Sequence, residues 1–204
     1  METQVKQAAS VGVAEDGNSA VLVTIAADGE LLDRRRIDLT GGLPTHPYHH
    51  EGSWAVGRYL NSSWARPISL ADAVALVERV RDAAKTGARD RLEELAAEVP
   101  VPIASIAIRV CPPLPATTEE RIRDTQAANV ADSVMYRESL ATAAEARGWS
   151  VYWYDRERVF IDAAAIGGQD VHAFLLAMGR SIGPPWRAKH KLAAAAALAA
   201  GARK

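Results

Sequence analysis

Residues 103–110, IASIAIRV, lie between Pro102 and the cluster Pro112, Pro113 and Pro115, and their reading decides the fold. The run is apolar without the alternation of a half-exposed strand, which predicts a strand buried on both faces, as in a parallel sheet. Helices stand on either side of it. Upstream, Ser69 caps a helix predicted to reach about Glu98, with Ala73, Val74, Val77, Val80 and Ala84 at helical spacing. Lys85-Thr86-Gly87 is a weak point in that helix, after which Leu92, Leu95 and Ala96 resume the stripe. Downstream, Thr117-Thr118-Glu119-Glu120 opens a second long helix, predicted to run to Arg147 with Gly148 as its stop. Residues 150–154 read as the next strand. A helix from Asp170 to about Gly179 follows, then a break at Gly183-Pro184-Pro185, then a last helix whose first turns are Trp186 to Lys191.

Three further stretches precede this half: Ala9 to Ala14, Ala20 to Ala27 and Glu30 to Leu39, separated by the turn dipeptides Gly17-Asn18 and Asp28-Gly29. They predict a three-stranded antiparallel meander. The expected order is β-β-β-α-β-α-β-α-α: an α/β fold with a mixed five-stranded sheet, meander plus two parallel strands, and helices on both faces. Residues 40–67 hold four glycines, three prolines, three histidines and two tryptophans without a clear period. Loops of that length are usually functional or mobile, so the expectation is one domain over 1–204 with an inserted loop at about 40–67.

Hydrophobic residues make up 49% and charged residues 24% of the 204, which suits a folded globular chain. The lone cysteine, Cys111, forms no internal disulfide, and the first residues lack a secretory pattern; a cytoplasmic setting is expected. The longest uncharged apolar run, Leu192 to Ala200, falls far short of a membrane span. The formal net charge of −1 hides an asymmetry. Residues 171–204 carry Arg180, Arg187, Lys189, Lys191, Arg203 and Lys204 and no acid, which leaves 18 basic against 25 acidic residues elsewhere.

The element order, with the runs ASIAIRV (104–110), TQAANVADSVMYRESLATAAEARG (125–148), WSVYWYDRERVF (149–160) and PPWRAKHKLAAAAALAA (184–200), resembles the RNase H-like superfamily, and within it the RuvC-type Holliday junction resolvases. The resemblance covers most of residues 9–200 outside the inserted loop. It implies an RNase H-like fold and a phosphodiester-cleaving site, in which carboxylates of the first strand, the fourth strand and the final helix hold two divalent metals, Mg²⁺ or Mn²⁺. Carried over by position, the first-strand acid falls on Glu15 or Asp16. The fourth-strand acid falls on Arg109, which repels a metal, and the last-helix pair falls on Arg187 and His190, with Lys189 and Lys191 alongside.

The resemblance therefore implies a nucleic-acid-binding protein whose metal site is degenerate: DNA or RNA as partner, with Arg109, Arg187, Lys189 and Lys191 gripping phosphate and no metal required. Two alternatives stand beside it. An active nuclease would use Glu15, Asp16 and His190 as catalytic residues, Glu15 and Asp16 as metal ligands, and a replacement acid such as Glu51 or Asp124. A non-catalytic scaffold protein would dock through the loop at 40–67 or pair as a homodimer through its alanine-rich helices. The cluster His46, His49, His50 and Glu51 matches no metal-ligand spacing and is read as structural. Tyr48, Trp54, Tyr59 and Trp64 are read as pinning the loop, with base stacking the minority reading. Arg34-Arg35-Arg36 is read as solvated strand polarity.

Overall fold

The computed structural model describes residues 8–167 and 170–201; Arg203 and Lys204 of the acid-free segment lie outside the described residues. Strands β1 (Ala9–Asp16), β2 (Ser19–Ile25) and β3 (Leu31–Asp38) form the antiparallel meander. Gly17 and Gly29 turn its corners at φ of 62° and 92°, which a Cβ would disfavour. Strands β4 (Ile103–Arg109) and β5 (Ser150–Tyr154) add in parallel beside β1, in the order β3-β2-β1-β4-β5. The sheet is the expected mixed one, and helices on both faces bury Ile103 and residues 105–108 of the apolar run, while Ala104 and Val110 are exposed.

One face is covered by α2 (Leu70–Glu98) and α4 (Thr125–Ala146), whose Val77, Val80, Leu92, Leu95, Met135 and Leu140 close over Val11, Val13, Leu22 and Ile106. On the other face, α5 (Val159–Gly167), α6 (Val171–Ile182) and α7 (Ala188–Gly201) pack on Ala14, Val21, Val23 and Ala107. The alanines of α7 let its backbone touch the sheet. A Cβ placed on Gly12 would fall 1.8 Å from the Ala193 carbonyl oxygen, so the bare glycine and the alanine stripe are two halves of one contact.

Ser69 caps α2 as expected, its hydroxyl accepting from the Asp72 N–H. The helix does not weaken at Gly87: there it presses against β3's exit, where a Cβ would sit 2.3 Å from the Leu39 oxygen. The single helix expected over 117–147 is two. Asp124 takes an extended backbone, its N–H closes α3 (Thr118–Arg123) on the Glu120 oxygen, and its carboxylate caps α4 at Gln126 and Ala127. A residue that ends one helix with its backbone and starts the next with its side chain reads, in sequence, as an ordinary polar helix residue. The expected order also lacks α3 and α5, and the last helix starts at Ala188 rather than Trp186. Inside the inserted loop, a π-helical turn (Tyr48–Gly52) runs into α1 (Ser53–Ala55). No helix among the described residues is long and apolar enough to cross a membrane.

Candidate functional site

Strands β1, β4 and β5 run parallel, so their carboxyl ends share one edge of the sheet, where open α/β sheets bind ligands. That edge presents Glu15 and Asp16 from β1, Arg109 from β4, and Asp155, Arg156 and Glu157 just past β5. Lys189 reaches it from the first turn of α7, and Arg137 from the middle of α4.

Glu15 is engaged from two sides. Its Oε1 accepts from Nε of Arg137 at 3.0 Å and also from a terminal nitrogen of the same guanidinium. Arg109 approaches the same oxygen at 3.8 Å. Arg137 is 6% and Glu15 13% exposed, and Arg137 also donates to the Val110 carbonyl. Asp16 is paired as well, with Lys189 Nζ at 2.5 Å and Arg36 at 3.2 Å. The Lys189 hydrogen bond, with Arg36 behind it, holds the Asp16 carboxyl below the usual carboxylate range. Lys189 further donates to the Glu15 backbone carbonyl at 3.3 Å, so its ammonium ties the Asp16 carboxylate to the end of β1.

Beside this cluster lie two joined recesses. The larger, about 840 Å³, is walled by Arg109, Arg137 and Arg156, by Val110 and Val130, and by the carboxylates of Asp155 and Glu157; the smaller, about 170 Å³, opens over Glu15 between Arg109, Arg156 and Lys189. Arg109 and Arg156 line both. Cys111 also faces the larger recess, and burial pushes its thiol upward, which keeps it protonated and unreactive.

The donor set does not fit a pair of divalent ions. Hard cations require carboxylate oxygens with lone pairs to give, whereas Glu15 and Asp16 are already held by Arg137, Lys189 and Arg36. Among the described residues, no three His, Cys, Asp or Glu side chains come together in a way that would hold a metal. The replacement acids suggested by sequence do not join the cluster: Asp124 caps α4, and Glu51 sits in the π-helical turn.

Of the residues singled out from sequence, Glu15, Asp16, Arg109 and Lys189 meet here. His190 turns away: its Nδ1 accepts from the Arg187 N–H at 3.1 Å and its ring lies against Trp186. Burial, then Arg34 and Arg187, lower its pKa, which leaves it neutral near pH 7. Arg187 is exposed and Lys191 half-buried; the hydrogen bonds and ion pairs of the described residues link Glu15 and Asp16 to Lys189 but not to these two. Sequence reasoning missed Arg137, Arg156 and Arg36. Arg137 carried a readable signal, the single Lys or Arg of its helix, set amid Ala131, Val134, Met135, Leu140 and Ala141. The arginine triplet is not merely solvated. Arg34 clamps the carbonyls of Gly183, Pro184 and Pro185, Arg35 pairs with Asp33 and Glu98, and Arg36 serves Asp16.

The histidine-rich turn is docked on α4, where Asp132 accepts from the backbone N–H of Tyr48 at 3.0 Å and of His49 at 3.1 Å. Desolvation pushes the Asp132 carboxyl up to about 7. His46 lies 3.9 Å from it. Burial first, and neighbouring imidazoles second, lower the pKa values of His46 and His50.

No family model matches the chain, and no curated protein matches it. Solved structures do. A chain of Thermus thermophilus RuvC in complex with a Holliday junction substrate superposes with a TM-score of 0.50 at 12% identity, over 95% of this chain and 92% of that one. A second Thermus thermophilus RuvC structure gives 0.47 at 12% identity, over 94% and 92%. With the strand order and the helices on both faces, the first superposition shows that this chain has the RNase H-like fold in the arrangement of RuvC.

Proposed function

We propose that the chain binds nucleic acid in the recess at the carboxyl ends of β1, β4 and β5, gripping backbone phosphates directly with Arg109, Arg156 and Lys189, and that it is a nuclease-like protein with little or no cleavage activity. The observation that carries this reading is the pairing of Glu15 and Asp16 with Arg137, Lys189 and Arg36. Left open, Glu15 and Asp16 would repel phosphate unless a metal bridged them; held by three cations they do not, and the recess's other carboxylates, Asp155 and Glu157, flank Arg156 in sequence. The guanidiniums beside them then face an open recess, and phosphate contacts from Arg and Lys supply most sequence-independent affinity. The overall likeness to RuvC, which in one of the matched structures holds a Holliday junction, supports nucleic acid over other polyanions.

Mobility shifts of single-stranded, duplex and four-way DNA at low salt test it. The wild-type chain retards at least one of these, Arg109→Ala and Lys189→Ala each weaken that binding, and added Mg²⁺ or Mn²⁺ leaves the DNA uncut. A chain that retards none of them, or that cuts with a metal in a Glu15-dependent way, contradicts the reading.

A further inference from the structure

The inserted loop holds a connected array of rings that the cleft does not use. His46 and His50 meet edge to face at 5.4 Å, His50 and Trp64 lie 5.2 Å apart, Trp64 and Tyr59 6.4 Å, and Trp54 backs both His50 and Trp64 at 6.1 and 5.5 Å. Its base is fixed: Trp54 is buried, Asp132 holds the π-helical turn, and His49 hydrogen-bonds Asn129 at 3.0 Å. Its rim is open, with Trp64 46%, Tyr59 44% and Leu60 49% exposed. Aromatics that only pin a loop turn inward, as Tyr48 and Trp54 do; Tyr59 and Trp64 turn outward. Tyr59 does so from a left-handed backbone, φ 59°, an uncommon conformation for a bulky residue.

The array adjoins the cleft at two places. The His46 ring stands over the β1–β2 turn, 3.5 Å from where a Gly17 Cβ would be, directly after Asp16. Helix α4 carries both features: Asn129 and Asp132 hold the loop, while Val130, Ser133 and Arg137 line the recess. A phosphate chain seated in the recess can thus present its bases to the loop. The rim is made of planar rings with polar edges, His46, His50, Tyr59 and Trp64, flanked by the exposed Arg66. Rings of this kind stack on the face of any base, and Leu60 is the exposed aliphatic side chain among them. The Trp54 indole N–H, buried without a partner, remains for an acceptor.

We propose that Tyr59, Trp64 and the His46–His50 pair form a stacking platform for unpaired nucleobases, selecting single-stranded or branch-point nucleic acid whose phosphates enter the cleft. This rests on the nucleic-acid reading above. The test is the ratio of affinity for a labelled oligo(dT) single strand to affinity for a duplex of equal length, by fluorescence anisotropy on the full chain. Trp64→Ala and Tyr59→Ala lower that ratio about tenfold, the loss expected for one stacking ring, and Trp64→Phe restores it. Lys189→Ala weakens both ligands together. If the ratio is unchanged in both ring variants while Lys189→Ala still weakens binding, the platform is overturned and the cleft reading stands. If the wild-type chain binds neither ligand, both fall. If Trp64→Ala instead splits a homodimer in light scattering and leaves the ratio alone, the rim is a self-association surface and the proposal is wrong.

Discussion

Glu15 and Arg137 form the pair on which the site turns. Both are largely withdrawn from water, and removing one partner of a buried pair strands the other charge, whereas replacing both with uncharged groups of similar shape is close to neutral. Arg137→Met is therefore expected to lower unfolding free energy by about 3 kcal/mol in urea titration, and the double variant Arg137→Met/Glu15→Gln to recover most of it. Equal losses in the single and double variants would mean that the pair is not coupled. Asp132 makes a second prediction. Its folded pKa, near 7, lies above the unfolded carboxylate value, so the folded state holds the extra proton. Its contribution is present below about pH 4 and is lost as pH rises towards 7. His46 and His50, with lowered pKa values, act in the opposite sense, destabilising the fold as pH falls through the imidazole range. Asp132→Asn removes only the first effect, so its stability should fall less than wild type, or rise, between pH 4 and 7. Parallel curves would show that Asp132 does not carry the proton. Asp132 was not legible from sequence, and Arg137 was marked only as the single cation of its helix, because the polar members of α4 all read as solvent-facing until β1 and the inserted loop are placed against it.

At the scale of elements, the contact between β1 and α7 holds the site's two halves in register. Gly12 lets the α7 backbone approach at the Ala193 turn, one turn from Lys189, which reaches Glu15 and Asp16 at the end of the same strand. Gly12→Ala forces α7 outward and is expected to cost about 1–3 kcal/mol by thermal or urea unfolding, and to loosen Lys189 from Asp16. A variant as stable as wild type would mean that α7 is not tightly seated. Most elements were readable in advance because each carried its own punctuation: Ser69 before α2, prolines around β4, Gly148 after α4, Asp170 before α6. Helix α5 was missed because VFIDAAAIG is apolar on nearly every side and offers no amphipathic stripe, although Gly167-Gly168 marks its end. The split at Asp124 was missed because one residue serves both helices.

Across the whole molecule, the charge asymmetry seen in the sequence is resolved spatially. The described part of the acid-free segment, residues 171–201, does not stand apart as a tail. Part of it, Lys189, is folded back onto Glu15 and Asp16 from the opposite end of the chain, while Arg36, Arg109 and Arg137 arrive from three other elements. The fold and the meeting of Glu15, Asp16 and Arg109 were legible because strand order brings those positions to one edge. Which of the basic residues of the last helix would reach that edge was not, since it depends on where α7 begins and how Arg34 holds the preceding prolines. The central claim is that phosphate is held by these cations without a metal. The most direct measurement is the affinity for the best-bound DNA in EDTA across a salt series. Binding should persist in EDTA and fall linearly in log–log form with salt, with the slope reduced by about one in each of Arg109→Ala and Lys189→Ala. Binding that vanishes in EDTA and returns with Mg²⁺, with slopes unaltered by either substitution, would contradict the account.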